Sequence, residues 1–84
     1  MKAVNTEKQE LDAAIDRFVV AMKKKLNAKR KQGWQGWNRK GWKQTLEQKL
    51  MLHVMYQFKK GNQEVDIANF CMFLWDLDNK VTKD

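Results

Sequence analysis

The chain has 84 residues, a formal net charge of +7 and one cysteine. This length predicts a single domain over 1–84 with a small core, so we expect oligomerisation to complete it. Because Cys71 is alone, an intrachain disulfide is excluded and a reducing, cytoplasmic location is expected. No apolar run approaches the roughly 18 residues of a membrane span, so no membrane partner is expected. The basic balance favours an anionic partner.

The first predicted helix covers 6–31. Thr6 followed by Gln9 fits a capping box at its start. Acidic residues gather in its first half and basic residues in its second half, which suits the helix dipole. The late basic residues therefore either stabilise the helix end or bind an anion. Apolar residues recur at steps of four and three and predict one buried stripe: Leu11, Ile15, Phe18, Met22 and Leu26.

A Gly/Trp-rich loop is predicted over 32–44, between the first two helices. It lies in a stretch, 17–46, that has no Asp or Glu but ten of the seventeen basic residues and three of the four tryptophans. Cations pair with phosphates and aromatic rings stack on bases, so this mixture indicates a ligand that is both anionic and planar. The glycines either admit a phosphate to the backbone or turn the chain around the tryptophans. The predicted ligand-binding residues here are Trp34, Trp37, Arg39 and Lys40, with Lys25 and Arg30 on the preceding helix.

The second predicted helix covers 45–60 and ends at Gly61-Asn62, a typical helix stop. Trp42 precedes it and is expected in the core. His53 lies within the densest apolar run, so a hydrogen-bonded core position is favoured over a catalytic role. The apolar residues predict burial on more than one side of this helix: Leu46, Leu50, Val54 and Phe58, widened by Met51, Leu52 and Met55.

The third predicted helix covers 64–80. Its apolar face is predicted to be Ile67, Phe70, Cys71, Leu74 and Trp75. The neighbouring face carries Asp66, Asn69, Phe73 and Asp76. Such polar groups contact a ribose, a base edge or a divalent cation, whereas the alternative is a solvated face with Asp66 stabilising the first turn. No strand pattern occurs, so the predicted fold is all-α, a small three-helix bundle.

The segment Asp66–Met72, continuing to Leu74, is similar to the "DVANFCMML" helix of a family of small phage proteins. That family is a diverged branch of the MazG-like all-α nucleotide pyrophosphohydrolases. Three further elements resemble its pattern, and together they extend the likeness over about 18–77: Met22, Lys25 and Leu26; Gly33, Gly36 and Trp37; and Lys60, Gly61 and Asn62. The resemblance implies a helical fold with a nucleotide-shaped pocket.

The chain departs from the catalytic pattern of that superfamily, in which an ExxE pair and an ExxD pair bind Mg²⁺. Glu47 is followed by Leu50 where the second acid would fall, and Gln63 stands three residues before Asp66. Tyr56-Gln57 occupies the position where the phage family often has Glu-His. If any metal binds, Glu47 and Asp66 are the candidate ligands. Because so few carboxylates remain, the resemblance argues against efficient two-metal hydrolysis.

The preferred functional hypothesis is a non-catalytic phage-type accessory protein that binds a nucleotide or nucleotide-derived signal, sequestering a host-defence messenger, without a cofactor. One alternative is a weak Mg²⁺-dependent nucleoside triphosphate pyrophosphohydrolase. Others are a basic nucleic-acid-binding protein, which predicts steep salt dependence, and an inhibitor of a host protein. A homo-oligomer is expected in each case.

Overall fold

The computed structural model describes residues 2–39 and 41–80, and it contains three helices: α1 (Lys2–Lys31), α2 (Lys43–Lys60) and α3 (Glu64–Lys80). Side chains are described for 6–39 and 41–79. Within this part of the chain there is no strand, and the predicted all-α three-helix fold is confirmed. The bounds of α3 agree with the prediction, whereas α2 begins two residues earlier than predicted.

The start of α1 differs most from the prediction. The chain is already helical at Lys2, so Thr6 lies inside the helix and the predicted capping box is wrong. No glycine or proline precedes Thr6 in the sequence, and nothing there forces the helix to begin later. A cap-like residue therefore marks a helix start only when the residues before it cannot extend the helix.

The turn between α2 and α3 is short and closed by hydrogen bonds. Gly61 N–H donates to the carbonyl oxygens of Gln57 and Tyr56 at 3.0 and 3.3 Å, which confirms the predicted helix stop. Gln57 Oε1 accepts from Gln63 N–H at 2.7 Å, and its Nε2 donates to Glu64 at 2.9 Å. One side chain thus joins the end of α2 to the start of α3.

α3 lies between the other two helices and packs against both, whereas α1 and α2 do not pack against each other over the residues that the structure describes. The buried apolar residues are Leu46, Phe70 and Phe73. A shell of partly buried residues surrounds them: Leu26, Trp34, Trp37, Leu50, Met72, Leu74 and Leu77. Trp42, predicted in the core, is only half-buried at the start of α2. Among the described residues, no helix is long and apolar enough to cross a membrane.

The inward face of α3 agrees only in part with the face predicted as apolar, since Phe70 is buried and Leu74 packs against the core. Cys71 is exposed and Trp75 is 65% exposed, so the predicted burial of both is wrong. The buried side chains are Asp66, Asn69, Phe70 and Phe73, which recur at i, i+3, i+4 and i+7. Because two of its four members are polar, the sequence pattern did not identify this stripe as a buried face. They are buried because α1 and α2 supply polar partners for them.

The outer side of α2 is exposed, contrary to the predicted burial on more than one side. Met51, Leu52 and Met55 are exposed, and Phe58 is 86% exposed. The reason is that α2 contacts only α3 among the described helices, so a single face of it is covered. Leu46 and Leu50 lie on that face.

The first half of α1 extends past the rest of the molecule. α1 has 30 residues and α3 has 17, so at about 1.5 Å per residue α1 is the longer helix and extends beyond α3. Met22 and Leu26 are partly buried, but Leu11, Ile15 and Phe18 are exposed, so the predicted buried stripe is wrong in this half. We call residues 6–20 the projecting half of α1.

The whole chain has more surface than a folded monomer of its mass. Its accessible surface is 7096 Å² at 10.0 kDa, whereas about 5,200 Å² is typical. Its radius of gyration is 15.8 Å, whereas about 12 Å is typical of a compact domain of this length. The uncovered faces of α1 and α2 contribute to this excess.

Candidate functional site

The end of α1 places Trp34. Trp34 N–H donates to the carbonyl of Lys29 at 3.0 Å, and Gly33 N–H donates to the carbonyl of Arg30 at 2.9 Å. Gly33 has a φ of +92°. This pair of bonds across a left-handed glycine is the Schellman motif, which reverses the chain after a helix. The reversal returns Trp34 alongside the last turns of α1.

A second tight turn places Trp37. Gly36 has a φ of +89°, and Arg39 N–H donates to its carbonyl at 3.1 Å. A Cβ atom at Gly36 would lie 2.9 Å from Arg39 Nε, so the Arg39 side chain covers the glycine. The positive φ therefore favours glycine here, whereas the flexible Arg39 side chain would move aside for a Cβ atom. Arg39 contributes to the shape of the loop.

Phe73 is the centre of an aromatic cluster. The rings of Trp34 and Trp37 stack on Phe73 with centroid distances of 5.6 and 4.8 Å and interplanar angles of 28° and 22°. Phe70 meets the same ring edge-on at 6.1 Å. Stacked and edge-on pairs are the favoured aromatic geometries. The loop is thus fixed to α3 through stacked aromatic rings.

A cavity of about 590 Å³ opens between the end of α1, the loop and α3. This volume falls within the usual range for small-molecule sites. Lys23, Asn27 and Arg30 line it from α1, at i, i+4 and i+7, so they share one face of the helix. The remaining lining residues are Leu26, Trp34, Gln35, Gly36, Trp37, Asn38, Met72 and Phe73. The cavity combines two cationic side chains, three amides and three aromatic rings.

The structure divides the predicted ligand-binding residues between two places. Arg30, Trp34, Trp37 and Phe73 line the cavity. Arg39 does not line it, and Lys40 lies outside the described residues. The other three predicted residues, Lys25, Asp66 and Asn69, form a separate cluster.

The sequence prediction missed Lys23 and Asn27. Their spacing to Arg30 would have indicated a shared helix face beside Leu26. It also missed Gln35 and Asn38, for which the sequence carries no signal beyond their place in the loop.

The separate cluster lies where the three helices meet. Asp66 Oδ2 is 3.4 Å from Lys25 Nζ of α1 and 3.9 Å from His53 Nε2 of α2. Asn69 Nδ2 donates to the carbonyl of Met22 at 3.5 Å. His53 Nδ1 lies 2.7 Å from the carbonyl of Lys49, and the ring tilts against Phe70 at 5.0 Å. The predicted hydrogen-bonded environment of His53 is confirmed.

Two oxygens of this cluster stand out. Asp66 is 8% exposed and Asn69 is 3% exposed, and the Oδ1 atom of each is buried with no hydrogen-bond partner among the described side chains and backbone. Leaving a buried acceptor unpaired costs about 1–3 kcal/mol. The cluster is therefore a costly arrangement, which the ion pair with Lys25 offsets in part.

The donor set does not fit the magnesium site that the resemblance implies. In 2–39 and 41–80 no group of three or more His, Cys, Asp and Glu side chains is placed to hold a metal ion. Glu47 is exposed on α2, and Asp66 is paired with Lys25. A site for Mg²⁺ needs oxygen ligands around an unblocked carboxylate, and here an ammonium group neutralises that carboxylate.

No protein-family model, curated protein or solved structure matches this chain. The resemblance to the MazG-like phage family therefore stays a prediction.

Proposed function

We propose that the protein binds a nucleotide or a nucleotide-derived small molecule in the cavity between α1, the loop and α3, without transforming it. The observation that supports this proposal is the meeting of Lys23 and Arg30 with the indoles of Trp34 and Trp37 around one cavity of about 590 Å³. The cationic side chains suit the phosphates and the indoles suit the base. These four residues are up to fourteen positions apart in the sequence.

The chemistry of the lining supports this ligand class. Arg30 offers a planar fork of N–H donors that suits phosphate oxygens. Lys23 offers a second positive charge about two helical turns earlier, on the same face of α1. The amides of Asn27, Gln35 and Asn38 both donate and accept, as the edge of a base requires. The half-buried indoles give an apolar wall.

The test is a titration of tryptophan fluorescence with mono-, di-, tri- and cyclic nucleotides, with and without Mg²⁺. Saturable quenching by one class without Mg²⁺, with the ligand recovered intact, is expected. Arg30→Ala removes a charge-assisted hydrogen bond and should weaken binding by about tenfold or more. The matched control is Arg17→Ala, an exposed arginine on the same helix outside the cavity. Equal loss in both variants would contradict a site at Arg30, and ligand turnover would support the pyrophosphohydrolase alternative.

A second candidate is the binding of a longer nucleic acid. One side of α1 carries three lysines, Lys23, Lys24 and Lys31, and Lys23 also lines the cavity. Three lysines along one helix suit successive phosphates. This candidate predicts affinity that falls steeply with salt and increases with the length of a single-stranded oligonucleotide. The single-nucleotide proposal predicts no such length dependence.

We propose further that the biological setting is that of a phage-type accessory protein in a host cytoplasm, where tight binding would sequester a nucleotide signal. The resemblance of Asp66–Met72 to the phage family supports this setting. We also propose a homo-oligomer, which the excess accessible surface supports. Infection of host strains that carry nucleotide-signalled defences, with the Arg30→Ala variant as control, tests the sequestration role.

A further inference from the structure

The uncovered apolar side chains fall into two stripes on different helices. On the projecting half of α1, Leu11, Ile15 and Phe18 recur at i, i+4 and i+7 and are exposed. On α2, exposed side chains recur with the same spacing at Met51, Met55 and Phe58. Each stripe has the pattern of a helix face that packs against another helix. Monomeric proteins rarely leave two such faces in water.

The two stripes carry opposite charge around them. The projecting half contains four acidic residues and two basic residues, giving a net charge of −2: Glu7, Glu10, Asp12 and Asp16 against Lys8 and Arg17. α2 contains four lysines and one glutamate, giving a net charge of +3: Lys43, Lys49, Lys59 and Lys60 against Glu47. At helical spacing Glu7, Glu10 and Asp12 flank the α1 stripe together with Lys8. Lys43 and Lys59 flank the α2 stripe together with Glu47, whereas Lys49 and Lys60 lie on the opposite side of α2.

From this arrangement we infer that a second copy of the chain covers both stripes, with the projecting half of α1 from each copy packed against α2 of the other. Pairing α1 with α1 would place like negative charges together, and pairing α2 with α2 would place like positive charges together. Only the crossed pairing brings opposite charges together. Twofold symmetry then satisfies both stripes twice in a closed dimer.

The surface excess is large enough for such a dimer. The chain exposes about 1,900 Å² more than a typical monomer of its mass, and a stable interface covers about 800 Å² of each partner. The crossed pairing depends on the proposed homo-oligomer and is independent of the nucleotide. It also predicts that the cavity near Arg30 stays outside the interface, since neither stripe includes a residue that lines it.

The first test is light scattering and sedimentation over a range of concentrations. The wild-type chain should be a dimer, and Ile15→Glu or Phe58→Glu should make it monomeric, since each places a charge in the interface. The matched control is Val20→Glu. Val20 is equally apolar and 64% exposed, but it lies on the opposite side of α1 from the stripe, so this variant should remain dimeric. Dissociation of the control to the same degree would overturn the assignment of the stripe.

The second test exchanges charge. Glu7→Lys with Glu10→Lys, and separately Lys59→Glu, should each weaken the dimer about tenfold, whereas all three changes together should restore it. Restoration cannot come from an unfolded chain, and helical circular dichroism checks each variant. If the separate charge changes weaken the dimer and the combined variant does not restore it, the crossed pairing is overturned and the dimer uses different surfaces. A wild-type chain that is monomeric at every concentration would overturn the homo-oligomer itself, whatever the nucleotide titration shows.

Discussion

The two halves of α1 have the same sequence pattern and different surroundings. Leu11, Ile15 and Phe18 continue the same stripe as Met22 and Leu26, yet only the last two are covered by other parts of the chain. The second half packs against α3 and lines the cavity. The comparison shows that periodicity identifies an apolar face but does not identify the element that covers it.

The acidic and basic residues of α1 are also divided between its two halves. Acidic residues surround the projecting half and basic residues surround the cavity half, so the two halves suit different partners. We assign the first to a second copy of the chain and the second to an anionic ligand.

The largest effect is expected for Phe73→Ala. Phe73 is buried and holds both Trp34 and Trp37, so its loss should cost about 3–5 kcal/mol, close to the whole stability of a small domain. Phe18→Ala, in the projecting half, should cost less than about 1 kcal/mol at concentrations where the chain is monomeric. Urea denaturation followed by circular dichroism measures both. Similar costs for the two variants would mean that the projecting half is covered within one chain.

A smaller effect is expected from the ion pair at the helix junction. Lys25→Ala should cost about 1–3 kcal/mol because it leaves the Asp66 carboxylate buried with little compensation. Lys8→Ala breaks an exposed pair with Asp12 in the projecting half and should cost less than about 0.5 kcal/mol. The Lys8 pair is the shorter, at 2.8 Å against 3.4 Å, so burial rather than distance decides the cost. A Lys8→Ala cost equal to that of Lys25→Ala would contradict this reasoning.

The smallest effect concerns the exposed pair between Lys43 and Asp78, whose atoms are 3.0 Å apart. The hydrogen bond to Asp78, followed by the charge of Asp78, raises the pKa of Lys43 above its usual 10.5. A raised pKa means that this stabilisation is present below pH 10.5 and is lost as the pH rises through the folded-state pKa.

The melting temperature of Asp78→Asn should therefore be slightly below that of the wild type at pH 7. The difference should shrink in high salt and as the pH rises through the raised pKa of Lys43, because of screening and of the titration of Lys43. Asp16→Asn, in the projecting half, is the control. If the difference in melting temperature stays constant with pH, Asp78 stabilises the protein by an interaction other than its pair with Lys43.

The sequence by itself determined the three helices and the points where they end. Gly33 and Gly61 end α1 and α2 because their conformations need little help from the rest of the fold. The sequence also placed a structured aromatic loop beside cationic residues, and Arg30, Trp34, Trp37 and Phe73 do line one cavity. These features are local, or depend on strong side-chain chemistry.

Only the tertiary structure decided which helix faces are buried. Asp66 and Asn69 are inside because Lys25, His53 and the carbonyl of Met22 meet them from other helices, a fact that no spacing within α3 reveals. Trp75 and Cys71 are outside because the buried face of α3 is centred on Asn69, Phe70 and Phe73. Burial is a property of the pairing between distant segments, since the free energy of a side chain depends on what replaces water around it.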